Sequence, residues 1–355
     1  MQTPDDMHQP RPVSRRAVLM GAGALAVAGQ GLNAGGRAMA AQTGPTGQRM
    51  RELATDWLAQ LDAGQRKAAT FRFDSQTRRR WNYMLGSAFA NGLALERMSA
   101  PQKDTALLLL ATALSAEGMD TAESIMLQQD ILRDEWGKGS PDRNRERFSV
   151  QIFGTPSPSE PWGWRWEGHH LTITFTLMGD AVIAQTPKAF SSEPNTVPSG
   201  PHKGLVVLPE NETLGRALYA ELSATARRAA LLRERSFGNI LAKPGRETRI
   251  QRREGVALGD LPPPQADKAR RLIDIYTSAH LSGPLAAVQR DRIAAEDGAA
   301  IRFAWAGPNI ANESMYYRIH GATFLIEFAT LFGQPLHHHT IVHDPERNFG
   351  DHLVG

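Results

Sequence analysis

The chain has 355 residues, 40 of them Lys or Arg against 37 Asp or Glu, and it contains no cysteine. Disulfides, thiolate metal sites and cysteine nucleophiles are therefore excluded together. Arg11, Arg15, Arg16 and Arg37 against Asp5 and Asp6 put most of the +3 net charge into the first forty residues, so the rest lacks the sustained basic face that nucleic-acid binding requires.

Residues 1–40 read as an export signal. Ser14-Arg15-Arg16-Ala17-Val18-Leu19 supplies a twin-arginine start, residues 17–32 form a Gly- and Ala-rich apolar stretch, and Ala38-Met39-Ala40 offers small residues for cleavage. The stretch is short and broken by Gly29, Gln30 and Gly31, which argues against a lasting membrane anchor. The expectation is a protein carried by the twin-arginine export machinery to the periplasm or beyond. Residues 46–355 are then expected to form a single α+β domain, helical over about 46–137 and sheet-containing over about 148–355. No internal repeat is visible.

Leu53, Trp57, Leu58 and Leu61 recur at helical spacing and predict a helix over 50–61. Helices over 100–116 and 121–136 follow, with Pro101 in a first turn after Ser99 and with Leu107, Leu108, Leu110, Leu114, Ile125, Leu127, Ile131 and Leu132 as core positions. A polar turn region over 137–147 leads to a strand at 148–153. After a Pro- and Ser-rich loop come the alternating Trp162, Trp164 and Trp166. Leu171, Ile173, Phe175 and Leu177 then alternate with Thr172, Thr174 and Thr176, the period of a half-buried strand. Gly179-Asp180 turns that strand back into 181–185. Residues 186–204 read as a long irregular loop, a candidate cover over a site. Helices return over 211–233, 265–282 and from about 284 to 297, and strands close the chain at 301–306, 315–320, 323–328 and 337–343, with Gly321-Ala322 linking two of them as a hairpin. This order favours α+β, with helices packed on a mainly antiparallel sheet, over a doubly wound parallel fold.

Six of the eleven histidines lie between Ile319 and Gly355. His337 and His339, two apart on a strand, leave the same face with Cα atoms about 6.5–7 Å apart, so both imidazoles can reach one ion. Zinc and copper both suit such ligands. A third ligand has to come from elsewhere, and His169 or His170 is the candidate, one of the pair at most. His320 at a hairpin end, with Glu167 and Glu327, could assist as general base or as a partner to a ligating imidazole. Arg165 and Arg318 could hold an anionic substrate, with ion pairing to those carboxylates as the competing use. Trp164 and its neighbours could form an aromatic wall or pack under the sheet. His338, His343 and His352 read as surface residues. Equally, the three consecutive histidines could be a solvated strand end, and His169-His170 one core and one exposed imidazole. No nucleotide cofactor is indicated: the chain has no GxSxG elbow, phosphate loop or strand-placed GxGxxG.

Three stretches together resemble a known family. They are Trp162-Gly163-Trp164-Arg165-Trp166-Glu167-Gly168-His169-His170-Leu171, then Tyr316-Tyr317-Arg318-Ile319-His320-Gly321-Ala322-Thr323-Phe324-Leu325-Ile326-Glu327, and His337-x-His339 ahead of Asp344-Pro345-Glu346 and Phe349-Gly350-Asp351. In this order they resemble the domain-of-unknown-function family numbered 3500, over essentially everything after the signal. The resemblance implies an exported bacterial protein and no settled activity. It also implies that His338 and His343, which stand where the family has other residues, are dispensable to shared chemistry. Two functions are therefore expected as alternatives. One is an exported metal-dependent enzyme, hydrolase or oxidoreductase, acting on an unknown small molecule or peptide. The other is a non-catalytic periplasmic protein that binds a metal or another ligand.

Overall fold

Amphipathic helices and period-two strands settle into the same succession of elements twice. The first runs α1 (Thr46–Gln60), α2 (Ala63–Ala69), β1 (Thr70–Phe71), β2 (Leu93–Ala94), α3 (Ala100–Ala113), α4 (Ala116–Asp134), β3 (Ser149–Phe153), β4 (Pro161–Gly168), β5 (Leu171–Met178), β6 (Ala181–Ala184) and β7 (Lys188–Phe190). The second runs α5 (Pro209–Glu221), α6 (Ala224–Ala230), β8 (Leu231–Arg233), β9 (Val256–Ala257), α7 (Pro263–Asp274), α8 (Gly283–Ala294), β10 (Arg302–Ala306), β11 (Tyr316–His320), β12 (Leu325–Leu331) and β13 (Gln334–His343). The computed structural model describes residues 46–86, 91–136, 140 and 142–353. The expected export signal and part of the 137–147 turn lie outside the described residues. Among the described residues no helix is long and apolar enough to cross a membrane.

The repetition extends to the sheet. Thirteen strands among the described residues form the sheet, ten of them on the path β1-β3-β4-β5-β7-β13-β12-β11-β10-β8. The order reads the same from either edge because β6 and β7 together line β5 as β13 lines β12. β1 runs parallel to β3 and β8 parallel to β10, while β2 pairs antiparallel with β3 and β9 with β10. The antiparallel contact of β7 with β13, at Lys188 and Val342, sits at the centre. An approximate two-fold axis perpendicular to the sheet therefore relates the halves.

Local details repeat too. Asp62 and Ser223 cap α2 and α6 with their side chains, and Gln102 and Gln265 each donate 2.8 Å hydrogen bonds to the end of the preceding long helix, at Gln60 and Glu221. Gly92 and Gly255 open the β2 and β9 turns at positive φ. The sequence reading found no repeat, and the structure corrects it. Gly-x-Ala-Leu at 92–95 and 255–258 and Pro-Gln at 101–102 and 264–265 keep the same spacing in both halves but are too sparse to stand out.

The α+β architecture and its mainly antiparallel sheet match the expectation. Several boundaries differ, three of them in kind. The helix expected over 211–233 breaks at Leu222 because Ser223 starts a new helix, and its last residues become β8. The helix over 265–282 ends in a π-helical turn, Ile275–Ala279. The 186–204 loop begins as β7, a strand in the middle of the sheet. Of the expected core positions, the structure leaves Leu108 exposed.

One face of the sheet is apolar and carries the helices. Trp162, Trp164, Trp166 and Phe175 pack under α1 and α3, while Phe303, Trp305, Tyr317 and Phe328 pack under α5 and α7. The other face buries Gln151, Arg165, Glu167, Thr172, Thr174, Arg318 and Glu327 together with Tyr83, Tyr316 and Phe349. The segments after β1 and β8 and the C-terminal segment supply its partners. Buried polar groups need such partners or they cost stability.

Gly255 tests the turn geometry. Its φ of +113° suits glycine, and an added Cβ would lie 2.1 Å from the Phe303 carbonyl oxygen. Gly255→Ala is expected to lower unfolding free energy by about 2–4 kcal/mol, read as the shift in urea midpoint at unchanged slope.

Candidate metal centre

The β7–β13 contact and the turn between β4 and β5 bring three imidazoles together. His170 occupies the second position of that two-residue turn, in the left-handed region at φ 69°. Its amide donates to the Tyr83 carbonyl and its carbonyl accepts from the Ser191 amide, both at 2.8 Å. These bonds hold a conformation that is uncommon for a side-chain-bearing residue. On β13, His337 and His339 lie on the polar face, and the backbone bridge between Ser192 and His338 sets that strand beside the turn. His337 Nε2 is 3.0 Å from both His170 Nε2 and His339 Nε2, and ligand atoms of all three lie within 4.8 Å of one another. A tetrahedral zinc with bonds of about 2.0–2.1 Å sets its nitrogens roughly 3.3 Å apart, so small shifts of the three rings bring them onto one ion.

The outer nitrogens are held so that the inner ones face each other. His339 Nδ1 meets Asn239 Oδ1 at 2.8 Å and His337 Nδ1 meets Gln334 Oε1 at 2.9 Å, with Glu193 Oε1 at 3.5 Å from the same His337 atom. An Nδ1–H donated to an oxygen leaves the Nε2 lone pair free for a cation, the usual arrangement around ligating histidines. Burial first, and then the neighbouring imidazoles, push His170 and His339 well below the ordinary histidine range. Both are therefore neutral donors at pH 7. The Tyr83 ring stands edge-on to His339 at 5.1 Å. The His337 side chain is 12% exposed, so the group is approached from its side.

The other candidate residues stand elsewhere. His169 stacks on His170 at 3.7 Å between centroids, but its Nδ1 turns to Gln129 Oε1 on α4 at 2.6 Å. Adjacent positions in a tight turn point different ways, and His169 does not join the three.

Glu167 was expected near a reacting group. It is instead sealed in the polar layer, where it accepts from the Asn82 amide at 2.9 Å and Gln151 Nε2 at 3.2 Å beside Arg165. Burial raises its pKa to about 7, against the opposing pull of Arg165. Arg165 is fully buried, donates to Thr174 Oγ1 at 3.1 Å and to the Arg78 carbonyl, and offers no surface to a substrate. Trp164 lies on the opposite, helix-covered face, stacked on Phe175 at 5.0 Å, and forms no wall of this site.

Glu327 accepts from the Leu241 and Ala242 amides at 2.8 Å each and from the Tyr316 hydroxyl at 2.6 Å, which occupies its oxygens. His320 pairs with Leu325, whereas Ala329 pairs with His339, so four residues, about 13 Å of strand, separate His320 from the group. Burial lowers its pKa to about 4. Arg318 pairs with Glu254 and lines an open groove of about 830 Å³ with Arg246, Arg249 and Arg252.

His338 and His343, expected at the surface, are buried. His338 falls on the helix face against Phe328, and His343 donates to the Ala242 carbonyl at 2.7 Å. The His352 side chain lies outside the described residues. Sequence reasoning missed Asn239, Glu193 and Tyr83, whose approach depends on long-range folding. Gln334, three residues before His337 at the hairpin tip, was the local signal available.

The model of one protein family, described as "Protein of unknown function (DUF3500)", matches residues 43–351. Neither the curated proteins nor the solved structures give a match.

The buried carboxyls carry a pH signature. The folded-state pKa of Glu167 is about 7 against an ordinary 4.5, so folding favours its protonated form. Its contribution is complete below about pH 4.5 and is lost as pH rises through about 7. Burial raises Glu327 in the same direction. The Glu167 contribution falls by up to about 1.4 kcal/mol per pH unit for one proton. Buried His170, His339 and His320 run the opposite way, because their lowered pKa values make stability rise with pH. The unfolding free energy of wild type minus that of Glu167→Gln, from urea titrations at stepped pH, is therefore expected to fall across the interval.

Proposed function

The chain belongs to this family of proteins of unknown function numbered 3500, and from that premise we propose that it is an exported metal-dependent enzyme. His170, His337 and His339 hold one divalent transition metal, zinc or copper. The observation that supports this reading most is the convergence of three Nε2 atoms whose opposite nitrogens on His337 and His339 are held by amide and carboxylate oxygens. Three neutral nitrogen donors leave a coordination position open, as catalytic metal sites do. The ion would supply a Lewis-acid or redox centre, and imidazole donors suit either chemistry.

The protein's own residues then divide the work. Asn239 and Gln334 orient the ligands. Tyr83 and the stacked His169 close the inner side, leaving approach past His337. The segment 237–241 has Asn239 on the histidines while Phe237 and Leu241 line the arginine-bearing groove. The substrate class favoured is therefore a small anionic molecule or an acidic peptide, drawn in by guanidinium groups.

A non-catalytic metal carrier is the second reading. What favours it is that Glu167 and Glu327, the carboxylates considered as bases, are both consumed by structural hydrogen bonds.

Metal content of protein recovered from the export compartment tests the site. Wild type is expected to carry about one zinc or copper per chain, and His337→Ala and His339→Ala to lose it, while His169→Ala keeps it. Asn239→Ala should weaken metal binding by about 10–100-fold. A wild-type protein without stoichiometric metal, and unchanged by the ligand substitutions, overturns the proposal. Turnover of anionic substrates that stops on chelation separates enzyme from carrier.

A further inference from the structure

The approximate two-fold axis carries the histidine group onto a second location. In the β12–β13 hairpin Thr330 pairs with His338, and in the β5–β6 hairpin Thr176 pairs with Ala184. By that register Ile183 and Gln185 stand where His337 and His339 do. The β4–β5 turn with His170 maps onto the turn between β11 and β12, which carries Thr323 and Phe324. At this mapped place lies a small, partly open cavity with Gln185, Thr186, Lys188, Gln289, Arg292 and Asp344 in its wall.

The cavity is chemically unfinished. Lys188 is buried, 3% exposed, and donates to the Thr277 carbonyl in the π-helical turn at 2.8 Å. Burial draws its pKa down to about 7, and the carboxylate in the cavity wall, Asp344, is paired with Arg292. The Thr186 hydroxyl, on a residue only 6% exposed, and the buried Gln185 Oε1 have no hydrogen-bond partner. Gln185 spends its amide nitrogen on Gln289 Oε1 at 3.3 Å. Arg292 adds a second cation, paired with Asp344 at 2.8 Å. Buried polar groups left unpaired cost about 1–3 kcal/mol each, and a lysine here needs an anion or stays neutral. The volume is about 40 Å³, above the roughly 10–15 Å³ that one water needs and small for anything beyond a two- or three-carbon acid.

We propose that this cavity is a second ligand site, distinct from the histidine group, that takes a small carboxylate through Lys188 and Thr186. Ligands that also carry a hydroxyl donor for Gln185 Oε1 are preferred. Acetate supplies the carboxylate alone, and glycolate supplies both groups.

Thermal melting of the full chain at fixed pH and ionic strength tests it, with sodium acetate, sodium glycolate and sodium chloride as probes. Acetate and glycolate are expected to raise the melting temperature saturably, glycolate at lower concentration, and chloride to have no saturable effect. Lys188→Met, which replaces a buried cation by an apolar side chain of similar length, should fold and lose the response. Thr186→Val should weaken glycolate about tenfold, the cost of one hydrogen bond to a charged group. His337→Ala should leave the response intact. No saturable response in wild type, a full response in Lys188→Met, or its loss in His337→Ala each overturns the proposal.

Discussion

The short antiparallel contact between β7 and β13 is the constraint on which the rest depends. Each half of the chain builds a twisted sheet that would end in an unpaired edge, and open edges invite pairing with other chains. Lys188 opposite Val342, followed by the Ser192–His338 bridge and the Asn195 amide donating to the Leu336 carbonyl at 2.8 Å, joins those edges into one sheet. The same few bonds fix the register of β13 against the first half. A one-residue slip would turn His337 and His339 to the helix face and present His338 in their place. The position of the histidine group is thus a consequence of strand pairing between halves.

A second layer of control lies in the buried carboxylates. Glu167 holds the Asn82 amide, and Asn82 Oδ1 in turn receives the Tyr83 and Met84 amides at 2.8 and 2.9 Å. Tyr83 then supports the His170 backbone and borders His339. In the other half Glu327 holds Leu241 and Ala242, which follow Asn239, the partner of His339. Each glutamate therefore fixes a loop, and each loop orients an imidazole. Removing a buried carboxyl group with several partners leaves those partners unsatisfied, so the loss exceeds that of one bond. Glu167 and Glu327 are positioning residues acting through backbone.

The extent to which this was legible in the sequence follows the range of the interactions involved. Alternation in Leu171–Leu177 and the Gly179-Asp180 turn are local, and the strand and hairpin stand where they were expected. His337-x-His339 on one face is likewise local geometry. The 70–86 and 91–99 stretches were hard to read because their strands are two residues long and Asn82 meets the polar face through a distant partner. By contrast α2, with its Asp62–Gln65 capping box, carried a local signal that was missed. His338 and His343 looked exposed because charge-bearing residues usually are. They are buried because Phe328 on one face and the Ala242 carbonyl on the other receive them. Trp164 looked equally fit for wall or core, and the strand's alternation decided for the core face once helices covered it.

Duplication gives a reason for the unequal ends of the central strand pair. An approximate two-fold axis produces two equivalent crevices, each where a hairpin turn meets the edge of the opposite half. Equivalent backbone does not require equivalent chemistry, because the side chains at Ile183 and Gln185 are set independently of those at His337 and His339. One crevice gathers neutral nitrogen donors, which attract a cation. The other gathers Lys188 and the unpaired Thr186 hydroxyl, which can both donate to an anion. Both rest on the same β7–β13 pairing, with Lys188 itself the residue opposite Val342. The two crevices therefore share one strand pair while differing in charge.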